Sequence, residues 1–250
     1  MTKHLRRALT GAVCAGAALA LTACGSSGSS SPVVGAADGS SAAPSTASSA
    51  AAQAGSPTDG LPQGPKLAGW LLPAKDLPKL KVDPAGTRNS GDGYSPPTPI
   101  AMSKTESCQA LGGTAWVAAG GLGSAAFAQS DYQDAYGDEF AEEIDAFEGT
   151  GATTVMARLR HVFAECGTFK LSVDGTPATA KLRFKTLAGV GDQSLEATIT
   201  LPGYNGGTTL VATRVGKLVV TTFYNDQRTT GGVGVTLTRR LVKGVPATQA

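Results

Sequence analysis

The sequence predicts an α+β fold: an antiparallel sheet with helices packed on one face, preceded by a disordered linker. Three observations carry this. Five strand-like runs separated by short turns fill residues 168–224. The stretch just before them, GATTVMARLRHVFAECG (151–167), has helical spacing instead. Residues 25–65 are almost wholly Ser, Ala, Gly, Pro and Thr, with Asp38 and Asp59 as their only charges. A regular meander of strands implies antiparallel pairing, and helices beside such a sheet define the class.

From the N-terminus, MTKHLRR places Lys3, Arg6 and Arg7 before an apolar stretch from Ala8 to Leu21. A basic start and an apolar run too short to span a bilayer make a secretory signal. Leu21-Thr22-Ala23-Cys24 closes the run and resembles the bacterial lipobox, whose cysteine is lipidated and becomes the new N-terminus. Residues 1–23 are thus expected to leave as signal peptide, and Cys24 to carry acyl chains such as palmitate. The Arg6-Arg7 pair hints at twin-arginine export, but LRRALTG lacks most of that pattern, which favours general secretion. Residues 24–65 follow as lipidated terminus and linker. They hold too little apolar surface to offset the entropy of ordering.

Residues 66–250 remain for one extracytoplasmic domain, long enough for a proper core. LAGWLLPAKDLPKLKV (67–82) opens it, with Trp70, Leu71 and Leu72 as docking side chains, and NSGDGYSPPTP (89–99) reads as a loop. A helix is expected from Ile100 to about Ala119 with Cys108, Leu111 and Trp116 inward, weakened by Gly112-Gly113. AAFAQSDYQDA and EFAEEIDAFEG are extended stretches around a hairpin signal at Tyr136-Gly137-Asp138. In the second, Phe140, Glu142, Ile144 and Ala146 share a strand face, with a helix as the competing assignment. In the 151–167 helix, Val155, Leu159, Val162 and Cys166 recur at helical spacing and Gly167 ends it. TFKLSV, AKLRFKTL, DQSLEATITL, TTLVATRV and KLVVTTFY are the five strands, and TGGVGVTLTRRLVKGV a poorly formed final helix.

Charge and cysteine content narrow the function. Loss of Lys3, Arg6 and Arg7 reduces 21 Lys and Arg to 18 against 19 acids, so the formal charge falls from +2 to about −1. No bulk argument for nucleic-acid binding survives. Of the cysteines that remain, Cys24 takes lipid. Cys108 and Cys166, one on each predicted helix, are expected to form a disulfide outside the cytoplasm, and no C-x-x-C suggests a metal or redox site. His161 is the one histidine left and falls with Arg158 and Glu165 on the solvent side of its helix. Zinc sites and Ser-His-Asp triads therefore lack their usual parts. There is no G-x-S-x-G, phosphate loop or H-E-x-x-H, and AGGLGSAA follows a helix into a strand, the reverse of a dinucleotide site. No catalytic residue, metal or cofactor is expected.

One segment stands out. Residues 131–148 hold Asp131, Asp134, Asp138, Glu139, Glu142, Glu143, Asp145 and Glu148 without a Lys or Arg. Calcium is one reading, but the spacing does not fit a D-x-D-x-D-G loop. A solvated hairpin facing the basic strand of Lys181, Arg183 and Lys185 is favoured. Arg214, alternating with Leu210 and Ala212, is expected to be partly buried and paired with Asp192 or Glu196.

LLPAKDLP, the cysteine-bearing first helix, FAECGTF, GDQSL and RVGKLVV together resemble the PknH-like extracellular domain. That sensor module occurs on actinobacterial receptor Ser/Thr kinases and on stand-alone lipoproteins. The resemblance covers most of residues 66–245. It implies an α+β domain with a cleft for a small ligand, and Cys108 and Cys166 match a helix-linking bridge of that pattern. The second disulfide common in the family is missing here. The expected function is a non-enzymatic ligand-binding or sensor domain of the cell envelope, held by its N-terminal lipid on the outer face of the cell membrane. Its expected partners are that membrane and a small envelope ligand or envelope protein. The alternatives are an accessory lipoprotein acting through protein contacts at the acidic hairpin, and a hydrolase using Asp134 with Glu142.

Overall fold

The structure, a computed structural model, describes residues 60–246 except 78, 92, 174 and 230. The chain divides into two units, Met1–Ala51 and Ala52–Ala250, and every described residue belongs to the second. The signal segment, Cys24 and the linker to residue 59 lie outside the described residues. Residues 60–65, assigned to the linker by composition, are structured: Pro62 and Gly64 are buried, and helix α1 (Gly64–Ala68) starts there. A Cβ on Gly64 would meet the Ser90 carbonyl oxygen at 2.0 Å, so only glycine allows this approach.

Eight strands form one antiparallel sheet: β1 (Lys81–Asn89), β2 (Ala126–Gln133), β3 (Glu139–Ala146), β4 (Thr168–Val173), β5 (Thr176–Thr186), β6 (Gln193–Thr200), β7 (Gly207–Val215) and β8 (Leu218–Asp226). Their order across the sheet is β1-β2-β3-β8-β7-β6-β5-β4. Two meanders, β1–β3 and β4–β8, thus join where the last strand pairs with β3, Glu142 facing Thr222 and Ile144 facing Val220. β1 carries Pro84 and a register break between Asp83 and Arg88, both tolerated because it is an edge strand.

The α+β class and antiparallel sheet match the sequence, but the packing is two-sided. On one face, α2 (Lys104–Ala110), a 3₁₀ turn (Trp116–Gly120) and α3 (Gly151–Glu165) bring Leu111, Trp116, Val155, Leu159 and Phe163 onto Leu195, Leu210, Val219 and Phe223. On the other, α1 and α4 (Gly232–Gly244) bring Leu67 and Leu241 onto Tyr132, Phe140, Ile144, Leu218 and Val220. The cause is in β8: Leu218, Val220 and Tyr224 point one way, Val219 and Phe223 the other. A strand apolar on both faces needs cover on both. α4 achieves this despite its glycines. A Cβ at Gly234 would sit 2.9 Å from the Tyr224 Cβ, and buried Thr238 shares a 2.6 Å hydrogen bond with Thr222.

The helix expected over 100–119 is shorter and broken, because the chain leaves helical geometry at Gly112-Gly113. Ser103 starts α2 with a capping box: its hydroxyl accepts from Glu106 N–H at 3.3 Å, and the Glu106 carboxylate accepts from Ser103 N–H at 2.7 Å. Ser103→Ala is expected to lower stability by about 1 kcal/mol, read as an earlier urea midpoint with an unchanged slope. An unchanged midpoint would show that the cap contributes nothing.

Candidate functional site

A cleft of about 430 Å³ opens on the α3 face where the β2–β3 and β6–β7 turns meet the end of β8. Its apolar floor is Leu171, Ile199, Leu201 and Phe223. Strand alternation puts these on one face, and register adds a polar row beside them. Glu139 lies opposite Asn225, which lies opposite Thr208 on its other side. The Thr208 hydroxyl donates to Asn225 Oδ1 at 3.4 Å, and Gln227 Nε2 donates to the Gly137 carbonyl at 3.4 Å. The Glu139 carboxylate has no hydrogen-bond or ion-pair partner among the described residues; burial raises its pKa, and repulsion from Asp131 and Asp83 adds to this. Exposed Tyr136 and Tyr204 stand at the rim, one from each turn. The second turn can lie this close because a Cβ at Gly206 would fall 1.7 Å from the Asp226 carbonyl oxygen. The arrangement offers an apolar bed, two aromatic rings and several neutral hydrogen-bonding groups, which is what a small-molecule site needs.

A second cavity, about 480 Å³, lies on the α4 face among Leu77, Leu80, Tyr224, Val233 and Leu237. Its charged groups other than Lys79 are held by ion pairs or hydrogen bonds. Arg228 pairs with Asp138. Burial pushes Asp226 up, but hydrogen bonds from Thr229 and the Arg228 backbone outweigh it and leave its pKa below the ordinary range. Little polar capacity is left there to recognise a ligand.

The acidic segment is not a solvated hairpin. Asp131, Asp138, Glu142, Glu143 and Asp145 are buried, and β3 pairs with β2 and β8, with three strands between it and basic β5. Asp134 shapes the turn, accepting from Tyr136 N–H at 2.7 Å and Asp138 N–H at 3.1 Å. Glu142 points to the α4 face, where Oε1 accepts from Leu72 N–H at 2.9 Å and Oε2 has no partner. Burial raises its pKa to about 8. Asp134 and Glu142 therefore do not flank one cleft, and the carboxylate pair required for glycoside hydrolysis is not assembled from them. On the α3 face, Arg88, Gln129, Glu143 and Thr221 form a polar row across four strands, and Arg88 Nε donates to Gln129 Oε1 at 3.2 Å. Burial raises Asp145 to about 7, while burial and then Asp145 itself raise Glu143 well above the usual range.

The remaining sequence candidates are placed as follows. Cys108 and Cys166 are disulfide-bonded with Cα atoms 5.5 Å apart, joining α2 to the end of α3. His161 is exposed beside Glu165 at 3.4 Å. Arg214 pairs with Asp192 at 3.0 Å, while Glu196 pairs with Lys185 at 3.3 Å. Cys24 lies outside the described residues. Among the described residues, no three His, Cys, Asp or Glu side chains are placed to hold a metal ion, and no helix is long and apolar enough to cross a membrane. Sequence reasoning passed over Tyr136, Tyr204, Glu139, Asn225 and Gln227 as cleft residues. The available signal was a tyrosine at the tip of each of two turns, where solvent exposure gives it no packing role.

No protein-family profile matches the sequence. No curated protein matches it either. Among solved structures, the fold matches the crystal structure of the extracellular domain of PknH from Mycobacterium tuberculosis, with a TM-score of 0.53 and 12% identity, over 73% of this chain and 95% of that chain. At that identity the likeness is one of fold.

Proposed function

We propose that the protein is a non-enzymatic, extracytoplasmic domain, anchored through lipid on Cys24, that holds a small envelope ligand in the α3-face cleft. The cleft carries the reading: an apolar floor, two rim tyrosines and the Glu139–Asn225–Thr208 row occur together. That combination suits a neutral, hydroxyl-rich molecule with one apolar face, such as a saccharide. The fold shared with the extracellular domain of PknH and the signal-like N-terminus support placement outside the membrane. An accessory role through the acidic hairpin loses its surface, since most of those acids are buried.

Titration with envelope saccharides is expected to give a binder whose affinity drops about three- to tenfold in Tyr204→Ala, the worth of one aromatic contact, with the melting temperature unchanged. A panel without binders, or a binder indifferent to Tyr204→Ala and Asn225→Ala alike, would sink the cleft. The anchor is tested separately: wild-type protein should partition with membranes with two acyl chains or more on Cys24. Cleavage elsewhere with a free Cys24 thiol would end that part of the reading.

A further inference from the structure

The α4 face of the sheet is covered only in part. α1 and α4 sit over the β1–β3 side and over β7 and β8, whereas the outward residues of β4 and β5 are open to solvent. Lys170, Lys181, Arg183 and Lys185 are exposed there, and every apolar residue of the core from β4 and β5 (Phe169, Leu171, Ala180, Leu182, Phe184) belongs to the α3 side. Register places Lys181 between Thr168 and Thr200, and Arg183 beside Thr198. The cations of β5 therefore recur about every 7 Å along the strand. Arg239 on α4 donates to the Ala188 carbonyl at 3.4 Å and adds a further cation at the margin. Lys185 alone meets an acid, Glu196; Lys170, Lys181, Arg183 and Arg239 have no acidic partner among the described residues.

This surface is too polar for a protein core. Seven acids are buried among the described residues and no Lys or Arg is, so the exterior is more cationic than the composition states. Leu61 and Leu67 pack into the α4-face core, so the first described residues lie on the same face of the sheet as the cations, over its β1–β3 side.

We propose that the bare cationic face of β4 and β5 seats the domain on the surface of an anionic lipid bilayer. Lysine and arginine near such a surface are each attracted by lipid headgroups within a Debye length, and the Thr side chains between them can hydrogen-bond phosphates. Seated this way, the sheet turns the α3-face cleft away from the membrane. The surface is separate from the cleft and does not depend on its ligand.

The test uses the full mature chain carrying Cys24→Ser, so that no lipid contributes, and co-sedimentation with vesicles of phosphatidylglycerol and phosphatidylcholine. Binding is expected at about 0.05 M salt, released at about 0.5 M, and absent from pure phosphatidylcholine vesicles. Lys181→Glu with Arg183→Glu is expected to weaken it about a hundredfold, while Lys104→Glu on α2 leaves it nearly unchanged. Both replaced side chains are exposed; a melting curve verifies folding, and Arg183→Gln serves as the milder variant. Failure to bind anionic vesicles, equal binding by the charge-reversed chain, or binding to soluble polyphosphate but not to vesicles would each overturn the proposal. None of these outcomes bears on saccharide binding in the cleft.

Discussion

Replacing Cys108 and Cys166 by alanine is expected to cost about 4 kcal/mol of stability, because the bridge closes a loop with a sequence separation of 58 in the unfolded chain. The loss should be read as an earlier urea midpoint of the double variant. The structure gives a second reason for a large effect. α2 has only seven residues, far below the length at which a helix persists alone in water, so it depends on its attachments. The bridge is one of them, fixing α2 to the last turn of α3. Next to α2 comes Gly112, which lines the cleft and where a Cβ would stand 2.7 Å from Leu171. Freeing α2 should therefore loosen the cleft wall, and ligand affinity should fall with stability. Both sulfurs are buried, so reductant should act slowly on the native protein and quickly after denaturant is added. Equal midpoints for wild type and the double variant would refute the structural weight given to this bridge.

Elements whose local pattern agrees with their final environment were readable. α3 carries one apolar stripe and meets one sheet face, so Val155, Leu159 and Val162 announced it. β4 to β8 are sequence neighbours joined by tight turns, and each strand pairs with the next, so local order gave their pairing. β1 was missed because Pro84 and Gly86 break its pattern. It survives as an edge strand, with Gly86 so close to Asp131 that a Cβ would lie 2.2 Å from its carboxylate.

What could not be read was the contact between distant segments. Nothing local in EFAEEIDA says that β8 will lie beside it, yet that pairing and the cover on both faces turn its acids from surface charges into buried ones. The segment's lack of any Lys or Arg was a usable clue, since solvated acidic hairpins commonly carry counter-charges. The same long-range pairing assembles the cleft: Glu139 from β3 meets Asn225 from β8 only because the two meanders join. Single-residue chemistry was visible in the sequence, and its convergence was not.

The buried acids lead to an unusual pH dependence. Glu142 has an ordinary pKa of 4.5 in the unfolded chain and about 8 in the fold, with burial as the cause. Between those values the native state holds a proton that the unfolded state has released, so stability falls as pH rises through this window and levels off above it. A tenfold difference in proton affinity is worth about 1.4 kcal/mol, so the loss across the window approaches about 5 kcal/mol for this group alone. Asp145, raised to about 7, and Glu143 act with the same sign. Glu142→Gln copies the protonated side chain: its carbonyl can still accept from Leu72 N–H, and its amide replaces an oxygen that has no partner. The variant is thus expected to match wild type near pH 5 and to exceed it by about 4 kcal/mol near pH 9, in urea unfolding at each pH. Its profile should still decline between pH 5 and 8, because Asp145 and Glu143 remain. A wild-type stability that rises from pH 5 to 9, or a variant no more stable than wild type at pH 9, would mean that Glu142 is ionised in the folded protein.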